Sequence, residues 1–213
     1  LGFLSGDAVE NSGLNDILMA IKKAKNNDEI KGIYIEAGPL GAGFSTLQEI
    51  RNALADFKKS GKWIVAYGDT YSQGSYYVAS VANHIYLNPE GQVDWHGLAS
   101  QPYYIKDLAA KFGVKYQVAK VGTFKSATET YTETKMSDAN RLQVSLYLNG
   151  LWANVCKAVS ESRKISIPTL NTYADEYQLF ATPQSLIKKR LIDKLLYADQ
   201  VKGEVKKLLG IDA

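Results

Sequence analysis

The chain has 213 residues, a length that fits one α/β domain and allows a sizeable apolar core without a disulfide or a structural metal. With 46% hydrophobic and 22% charged residues, its composition is that of a globular protein and not of a disordered one. The net charge is only +3 and the lysines are interspersed with acids, so the chain lacks the concentrated basic face that nucleic-acid binding requires. We therefore expect no nucleic acid as a partner.

Cysteine and histidine are too scarce for several common kinds of site. The single cysteine, Cys156, excludes an internal disulfide, and its neighbours Trp152 and Val155 predict a buried thiol on a helix. The two histidines, His84 and His96, are too few for a histidine-rich metal site and leave few candidates for a histidine-dependent triad. We expect neither a metal nor a cofactor.

The start of the chain suggests how it relates to its parent protein. The chain opens on residues 1–4, Leu-Gly-Phe-Leu, instead of methionine, and no apolar run reaches the roughly 18 residues that span a bilayer. We therefore expect an excised or processed piece of a longer protein. The lack of a membrane anchor in this sequence says nothing about an anchor in that parent protein.

Hydrophobic periodicity predicts helices and strands that alternate along the chain. Short β-branched and aromatic runs mark the strands, and glycine-bearing turns separate them from the helices. The predicted elements in chain order are a helix from residue 14, a strand over 30–36, a helix over 46–59, a strand over 63–67, a helix over 76–81, a strand over 85–87, a helix over 103–112, a strand over 116–121, a long helix over 137–163 and a helical tail after Pro168. This order predicts an α/β fold with a mainly parallel sheet, no internal linker and a single domain over residues 1–213.

Two glycine-bearing loops follow predicted strands, at the positions where α/β folds build their sites. The first covers residues 38–44 and the second covers residues 73–76. Neither is a P-loop, and the glycines of the first loop have the wrong order of gaps for a dinucleotide fingerprint, with Pro39 among them. Plain turns and an oxyanion hole remain equal alternatives for these loops.

A lysine stands at the junction between the predicted strand 116–121 and a helical segment. Lys125 lies among Gly122, Phe124 and Ala127, small or apolar neighbours that we expect to keep water away. Desolvation and the positive end of a helix both disfavour an ammonium, so both favour the neutral amine that can act as a general base. Lys125 is therefore the candidate base, and the alternative is an ordinary solvated surface lysine. We expect the two glycine-bearing loops to lie on one side of the sheet, with Lys125 within reach of the same cleft.

Four segments of the chain carry a family resemblance. They are YSQGSYYVAS from Tyr71, ANHIYL from Ala82, VDWHG from Val93 and VGTFKSA from Val121. In order, spacing and content they resemble the amino-terminal domain of the long, tandem-domain form of signal peptide peptidase A, and the resemblance extends over nearly the whole chain. It implies a ClpP/crotonase-like fold, a superhelix of repeated β-β-α units, and a Ser/Lys dyad in which lysine replaces histidine as the base.

The resemblance also implies a biological role. The parent protein would be a bacterial serine endopeptidase of the cell envelope, membrane-associated, that hydrolyses residual signal peptides. This chain would be its amino-terminal repeat and would provide Lys125 to a serine on the carboxyl-terminal domain of the same protein. The implied assembly is a ring-like homo-oligomer whose interior accepts apolar signal peptides.

The chain departs from the family at the nucleophile. The family's catalytic repeat has its serine in a Ser-Gly-Gly-Tyr turn before a helix, and the aligned residues here are QGSY, from Gln73. A carboxamide cannot accept an acyl group, so we expect the isolated chain to be inactive. Ser72 and Ser75 flank this position but are disfavoured as substitutes, because a shift of one or two residues in a tight turn re-aims the side chain.

Several roles and functions stay open. Ser126 either orients Lys125 through a hydrogen bond or caps a helix. For His96 a structural hydrogen bond is favoured over an acid or base role. One alternative function is a crotonase-type acyl-CoA enzyme, although the two loops contain no evident acid or base carboxylate. The other is a non-catalytic scaffold repeat within the peptidase assembly.

Overall fold

A four-stranded parallel sheet organises the part of the chain that positions the glycine-bearing loops. The computed structural model describes residues 13–38 and 40–211, so residues 1–4 and Pro39 lie outside the described part. The strands, in sheet order, are β1 (Gly32–Ala37), β2 (Trp63–Tyr71), β3 (His84–Val93) and β4 (Lys194–Leu195), and each neighbouring pair is parallel. The predicted α/β class with a mainly parallel sheet is confirmed.

Glycine stands at two points in the sheet where neighbouring atoms leave no room for a side chain. Gly32 of β1 lies opposite Trp63 of β2, and a Cβ at Gly32 would come within 2.1 Å of the Trp63 ring. Gly91 of β3 lies so close to β2 that a Cβ there would approach the Asp69 carbonyl oxygen to 2.6 Å. Only glycine allows these approaches, so the sequence at both points is dictated by strand packing.

Nine α-helices and two short 3-10 helices complete the described part of the chain. The α-helices are α1 (Leu14–Asn26), α2 (Phe44–Lys58), α3 (Gln73–Ala79), α4 (Lys106–Lys111), α5 (Glu129–Thr132), α6 (Asp138–Arg163), α7 (Ile167–Asp175), α8 (Pro183–Lys188) and α9 (Ala198–Leu209), and the 3-10 helices are Ser126–Thr128 and Gln178–Phe180. Over this described range, no helix combines the length and the apolar character needed to cross a bilayer.

The chain divides into two compact units. Among the described residues, the first consists of 13–38, 40–96 and 157–211 and contains the sheet, and the second consists of 97–156. Helix α6 begins in the second unit and ends in the first.

An aromatic cluster forms the centre of the first unit. Tyr76 of α3 is fully buried and meets the ring of Trp95 edge-on, with 5.8 Å between the ring centroids. Both residues satisfy their polar atoms on the main chain: the Tyr76 hydroxyl donates to the Leu191 carbonyl oxygen at 2.8 Å, and Trp95 Nε1 donates to the Leu170 carbonyl oxygen at 2.9 Å. Buried polar groups require hydrogen-bond partners, and these two bonds provide them. They also link α3 and the segment after β3 to the carboxyl-terminal part of the unit.

Two elements differ from the sequence prediction. The predicted strand over 116–121 is wrong: these residues belong to no helix or strand, and their side chains are exposed. Alternating Tyr and Val residues favour a strand, but a strand also needs a partner for its main-chain hydrogen bonds. Conversely, the two-residue strand β4 was not predicted, since so short a segment carries no periodicity and exists only through its pairing with β3.

Candidate functional site

The carboxyl edge of the sheet brings the two glycine-bearing loops to one side. Strands β1 and β2 are parallel, so both end at the same edge. Strand β1 leads into α2 through a connection described at residues 38 and 40–43, and Ser72 leads from β2 into α3. The prediction that the loops around Gly41 and Gly74 share one side of the sheet is therefore confirmed. Whether Lys125 reaches the same cleft stays a prediction.

Gln73 occupies the position that the family resemblance assigns to a nucleophile. It is the first residue of α3, and its residue surface is only 5% exposed. Its Oε1 accepts a hydrogen bond from the main-chain N–H of His96 at 3.0 Å. A buried carboxamide held in this way stabilises the connection between α3 and the segment after β3, and it provides no hydroxyl for acyl transfer.

Ser72 and Ser75 form the amino-terminal cap of α3. Ser72 Oγ accepts a hydrogen bond from the Ser75 main-chain N–H at 3.2 Å and donates to Ser75 Oγ at 3.1 Å. Ser75 Oγ in turn donates to the Ser72 carbonyl oxygen at 3.1 Å. Both hydroxyls are thus engaged in helix capping, which is the common role of serine at this position.

His96 forms the expected hydrogen bond, and the structural role that is favoured for it stays a prediction. Its Nδ1 lies 2.5 Å from Asp94 Oδ1, and its ring meets that of Tyr177 edge-on with 5.7 Å between centroids. Tyr177 adopts a left-handed backbone conformation with φ of 53°, which is unusual for a residue other than glycine. The sequence contains no signal for this conformation of Tyr177.

Lys125 lies in the second unit, immediately before the 3-10 helix Ser126–Thr128. Its side chain is exposed, and so is that of Phe124. The expected shielding of Lys125 by Phe124 and Ala127 is therefore wrong for this chain by itself. The physical reason is that the segment before Lys125 forms no strand and packs no apolar side chains around the amine. Lys125 precedes this 3-10 helix and no side chain caps it in the described structure, so the capping role of Ser126 is not found there. The orienting role of Ser126 stays a prediction.

Glu129 is a buried residue that the sequence does not single out. It begins α5, its residue surface is only 2% exposed, and its carboxylate accepts hydrogen bonds from Ser137 and Asn140. These bonds, those from Ser137 above all, lower the pKa of the Glu129 carboxyl below its usual value, although burial opposes this effect. Glutamate is usually exposed to solvent in folded proteins, so the residue type by itself predicts an exposed side chain here.

Within the described residues, the thiol of Cys156 is buried and no group of metal-ligating side chains occurs. Cys156 lies buried on α6, as predicted, and burial raises the pKa of its thiol to about 12, which disfavours the reactive thiolate. Across residues 13–38 and 40–211, no three His, Cys, Asp or Glu side chains are grouped so that they would hold a metal ion.

Comparison with known proteins identifies similar sequences. The family model described as peptidase family S49 matches residues 56–212, which is more than half of the chain. Protease 4 of Salmonella typhi is 40% identical over 184 residues, which cover 86% of this chain. Protease 4 of Haemophilus influenzae is 37% identical over 76% of the chain, and the chloroplastic serine protease SPPA of Arabidopsis thaliana is 27% identical over 95% of it.

The matched relatives are much longer than this chain. The aligned regions cover 28%, 26% and 30% of the lengths of the Salmonella, Haemophilus and Arabidopsis proteins, respectively. This partial coverage is consistent with an amino-terminal domain of the long form of signal peptide peptidase A.

Proposed function

The chain belongs to peptidase family S49, and on this premise we propose that it is the lysine-donating half of a serine-type signal peptide peptidase. Members of this family have the ClpP/crotonase-like fold, in agreement with the mixed α/β architecture and the parallel sheet. In the proposal Lys125 is the general base and the nucleophilic serine lies on the carboxyl-terminal domain of the same protein. The substrates are residual signal peptides, and the chemistry of a Ser/Lys dyad requires no cofactor or metal.

The environment of Gln73 is the observation that carries this proposal. At the start of α3 the chain has a buried carboxamide that is hydrogen-bonded to the His96 N–H, where a catalytic repeat would have a serine. The flanking hydroxyls of Ser72 and Ser75 are engaged with each other in the α3 cap. This environment supports the proposal that the nucleophile comes from another domain.

The role of Lys125 follows from the chemistry of serine attack. As the serine Oγ attacks the scissile carbonyl carbon, its proton must pass to a base, and a neutral lysine Nζ is able to accept it. The resulting ammonium then protonates the leaving amine, and water hydrolyses the acyl-enzyme in a second step with the lysine again as base. Within this chain Lys125 is exposed. The desolvation that favours its neutral form must therefore come from the companion domain or from bound peptide.

Exposed apolar side chains of the second unit support the proposed partners. Tyr103, Phe112, Val121 and Phe124 are all exposed, although apolar surface of this kind is usually covered in a stable protein. We propose that the carboxyl-terminal domain and further copies of the protein cover it in a homo-oligomer. In this proposal the oligomer is membrane-associated in the bacterial cell envelope and admits apolar signal peptides.

Replacement of Lys125 in the full-length protein tests the catalytic assignment. We expect Lys125→Ala and Lys125→Arg to lower the peptidase rate by ~10²–10⁴-fold or more, because base catalysis is lost and dyad residues act as a unit. Arginine keeps the charge, but with a pKa above ~12 it does not accept a proton at neutral pH. The measurement is the steady-state rate on a signal-peptide substrate, with oligomeric state checked by light scattering.

Lys135 provides the matched control. It is exposed like Lys125, and Lys135→Ala should leave the rate unchanged. Lys120 is also expected to tolerate substitution, but it is a less clean control because it interacts electrostatically with Glu129. A Lys125→Ala protein with a near-normal rate would contradict the assignment and leave the scaffold function for this domain.

A further inference from the structure

A buried carboxylate lies four residues after Lys125 and has no role in the proposed dyad. Glu129 Oε1 accepts a hydrogen bond from Ser137 Oγ at 2.6 Å, and Oε2 accepts from the Ser137 main-chain N–H at 3.2 Å and from Asn140 Nδ2 at 2.9 Å. Three donors therefore converge on one carboxylate in the interior of the second unit. Burying an ionised carboxylate is unfavourable unless such bonds compensate it, so an arrangement this complete defines one geometry.

The same carboxylate joins two elements that are separate in sequence. Ser137 precedes α6 and caps it, because its Oγ also accepts a hydrogen bond from the Asn140 main-chain N–H at 3.1 Å. Glu129 thus lies at the amino-terminal end of a 26-residue helix, where the helix dipole favours a negative charge. The start of α5 is thereby attached to the start of α6.

Lys125 is connected to this attachment by continuous helical turns. The 3-10 helix Ser126–Thr128 follows Lys125 directly and runs without interruption into α5, which begins at Glu129. A second bond holds α5 from another direction, since the Ile105 main-chain N–H donates to the Thr130 carbonyl oxygen at 2.9 Å. The exposed amine of Lys125 therefore extends from a turn whose far end is fixed by part-buried hydrogen bonds to Glu129.

We propose that Glu129 is a positioning residue for Lys125: its carboxylate holds the turn that carries the lysine against the start of α6. This inference rests on the proposed function, because it assigns Glu129 to the same dyad. Glu129 takes no part in proton transfer. It sets where the lysine Nζ lies relative to the serine of the companion domain, and displacements of about 1 Å in such geometry lower rates by as much as ~10²-fold.

Substitution by glutamine separates hydrogen bonding from charge. In Glu129→Gln the amide oxygen is able to accept from the Ser137 N–H and Asn140, and the amide nitrogen is able to donate to Ser137 Oγ. The geometry is then largely kept without the negative charge. In Glu129→Ala all three bonds are lost, so the turn that carries Lys125 is released.

The experiment compares full-length Glu129→Ala, Glu129→Gln and Ser137→Ala with the unchanged protein. We measure kcat and KM on a signal-peptide substrate from about pH 6 to about pH 10, together with thermal unfolding. For Glu129→Ala we expect kcat to fall ~10–100-fold while KM changes less than ~2-fold. The acidic limb of the pH–rate profile should also move to higher pH, because a displaced lysine stays better solvated and needs a higher pH to lose its proton.

The other variants should show smaller falls in rate, because they remove fewer of the Glu129 hydrogen bonds. Glu129→Gln should retain most of the rate, and Ser137→Ala should give a smaller fall with the same direction of limb shift. Glu133→Ala is the matched control, since Glu133 follows the last residue of α5 and is exposed. The peptidase rate and the pH–rate profile of this variant should be unchanged. If Glu129→Ala does not fold, Ser137→Ala tests the positioning role instead. A shift of its acidic limb to higher pH supports that role, and an unmoved limb contradicts it.

Two results would overturn the inference. One is a normal rate and profile in Glu129→Ala. The other is a fall in rate that follows a loss of thermal stability with the acidic limb unmoved, which would make Glu129 purely structural. Lys125→Ala is measured in parallel to keep the two proposals apart. If it retains activity, the dyad assignment fails; if it is inactive while Glu129→Ala is normal, only the positioning role fails.

Discussion

At the scale of single residues, a small chemical difference decides what the start of α3 can do. A serine hydroxyl forms and releases an ester, whereas the carboxamide of Gln73 is not a nucleophile at neutral pH. Its burial and its bond to the His96 N–H make it part of the local structure. The neighbouring serines do not replace it, because their hydroxyls form the α3 cap and Ser75 is buried.

We therefore expect that the isolated chain does not react with serine-directed reagents. We expect no labelling by a fluorophosphonate and no hydrolysis of a signal peptide, since Gln73 has no hydroxyl and those of Ser72 and Ser75 are engaged in the α3 cap. Intact mass spectrometry measures the labelling, and the full-length protein treated in parallel serves as the positive control. Stoichiometric modification of Ser72 or Ser75 in the isolated chain would show that this prediction is wrong.

At the scale of elements, helix α9 is attached to the sheet by apolar and charged contacts. Val201 packs in a buried cluster with Val65, Tyr67 and Tyr86 of the sheet. Beside it, the Glu204 carboxylate accepts hydrogen bonds from Lys194 Nζ of β4 at 2.6 Å and from Lys207 Nζ at 2.8 Å. The first of these bonds spans two elements, so it contributes to the docking of α9.

The Glu204 contact predicts a defined dependence of stability on pH. Its hydrogen bonds, first that from Lys194, lower the pKa of the Glu204 carboxyl to about 2. Because the folded-state pKa lies below the unfolded one, the stabilisation is present above the unfolded value of ~4.3 and is lost as the pH falls towards 2. Glu204→Gln should lower the free energy of unfolding by about 0.5–1 kcal/mol at pH 7, a magnitude limited by solvent screening.

Urea denaturation at neutral and acidic pH measures this effect. The difference between Glu204→Gln and the unchanged chain should shrink as the pH is lowered towards 2. Glu49→Gln provides the control, since Glu49 is an exposed glutamate on α2 and its replacement should have little effect at either pH. An equal destabilisation by Glu204→Gln at both pH values would contradict the electrostatic explanation.

At the scale of the whole molecule, the second unit exposes several large apolar side chains. Val121 is 90% exposed and Phe112 is 78% exposed. Such side chains do not contribute to the stability of the chain, but they lose much water-accessible surface if another domain covers them. Their chemistry fits the proposed companion domain or a second copy of the protein.

Charged substitutions in this surface should disrupt assembly without unfolding the chain. In the full-length protein we expect Val121→Asp and Phe112→Asp to weaken oligomer formation, because each would bury an unpaired carboxylate at an interface. The isolated chain with the same changes should keep its unfolding temperature, since exposed positions tolerate substitution. Met19→Asp on α1, at a residue 52% exposed in the first unit, is the control. Unchanged assembly of both variants in light scattering would exclude these residues from the interface.

The sequence by itself determined the local elements and the chemical inventory of this protein. Periodicity located most helices and strands of the first unit, because side chains that alternate between core and solvent leave a pattern in the sequence. The sequence also shows directly that residue 73 is a glutamine and not a serine. The long helix α6 was predicted within one residue at each end, because a run of this length carries a strong helical pattern.

Tertiary structure alone decided how distant residues are used. Strand β4 exists through its pairing with β3, and the segment 116–121 remains irregular because no strand pairs with it. The burial of Glu129 depends on Ser137 and Asn140 meeting it in space, and the exposure of Lys125 depends on nothing packing over it. Hydrogen bonding and solvation depend on which groups come together in space, so a pattern of residue types along the chain does not specify them.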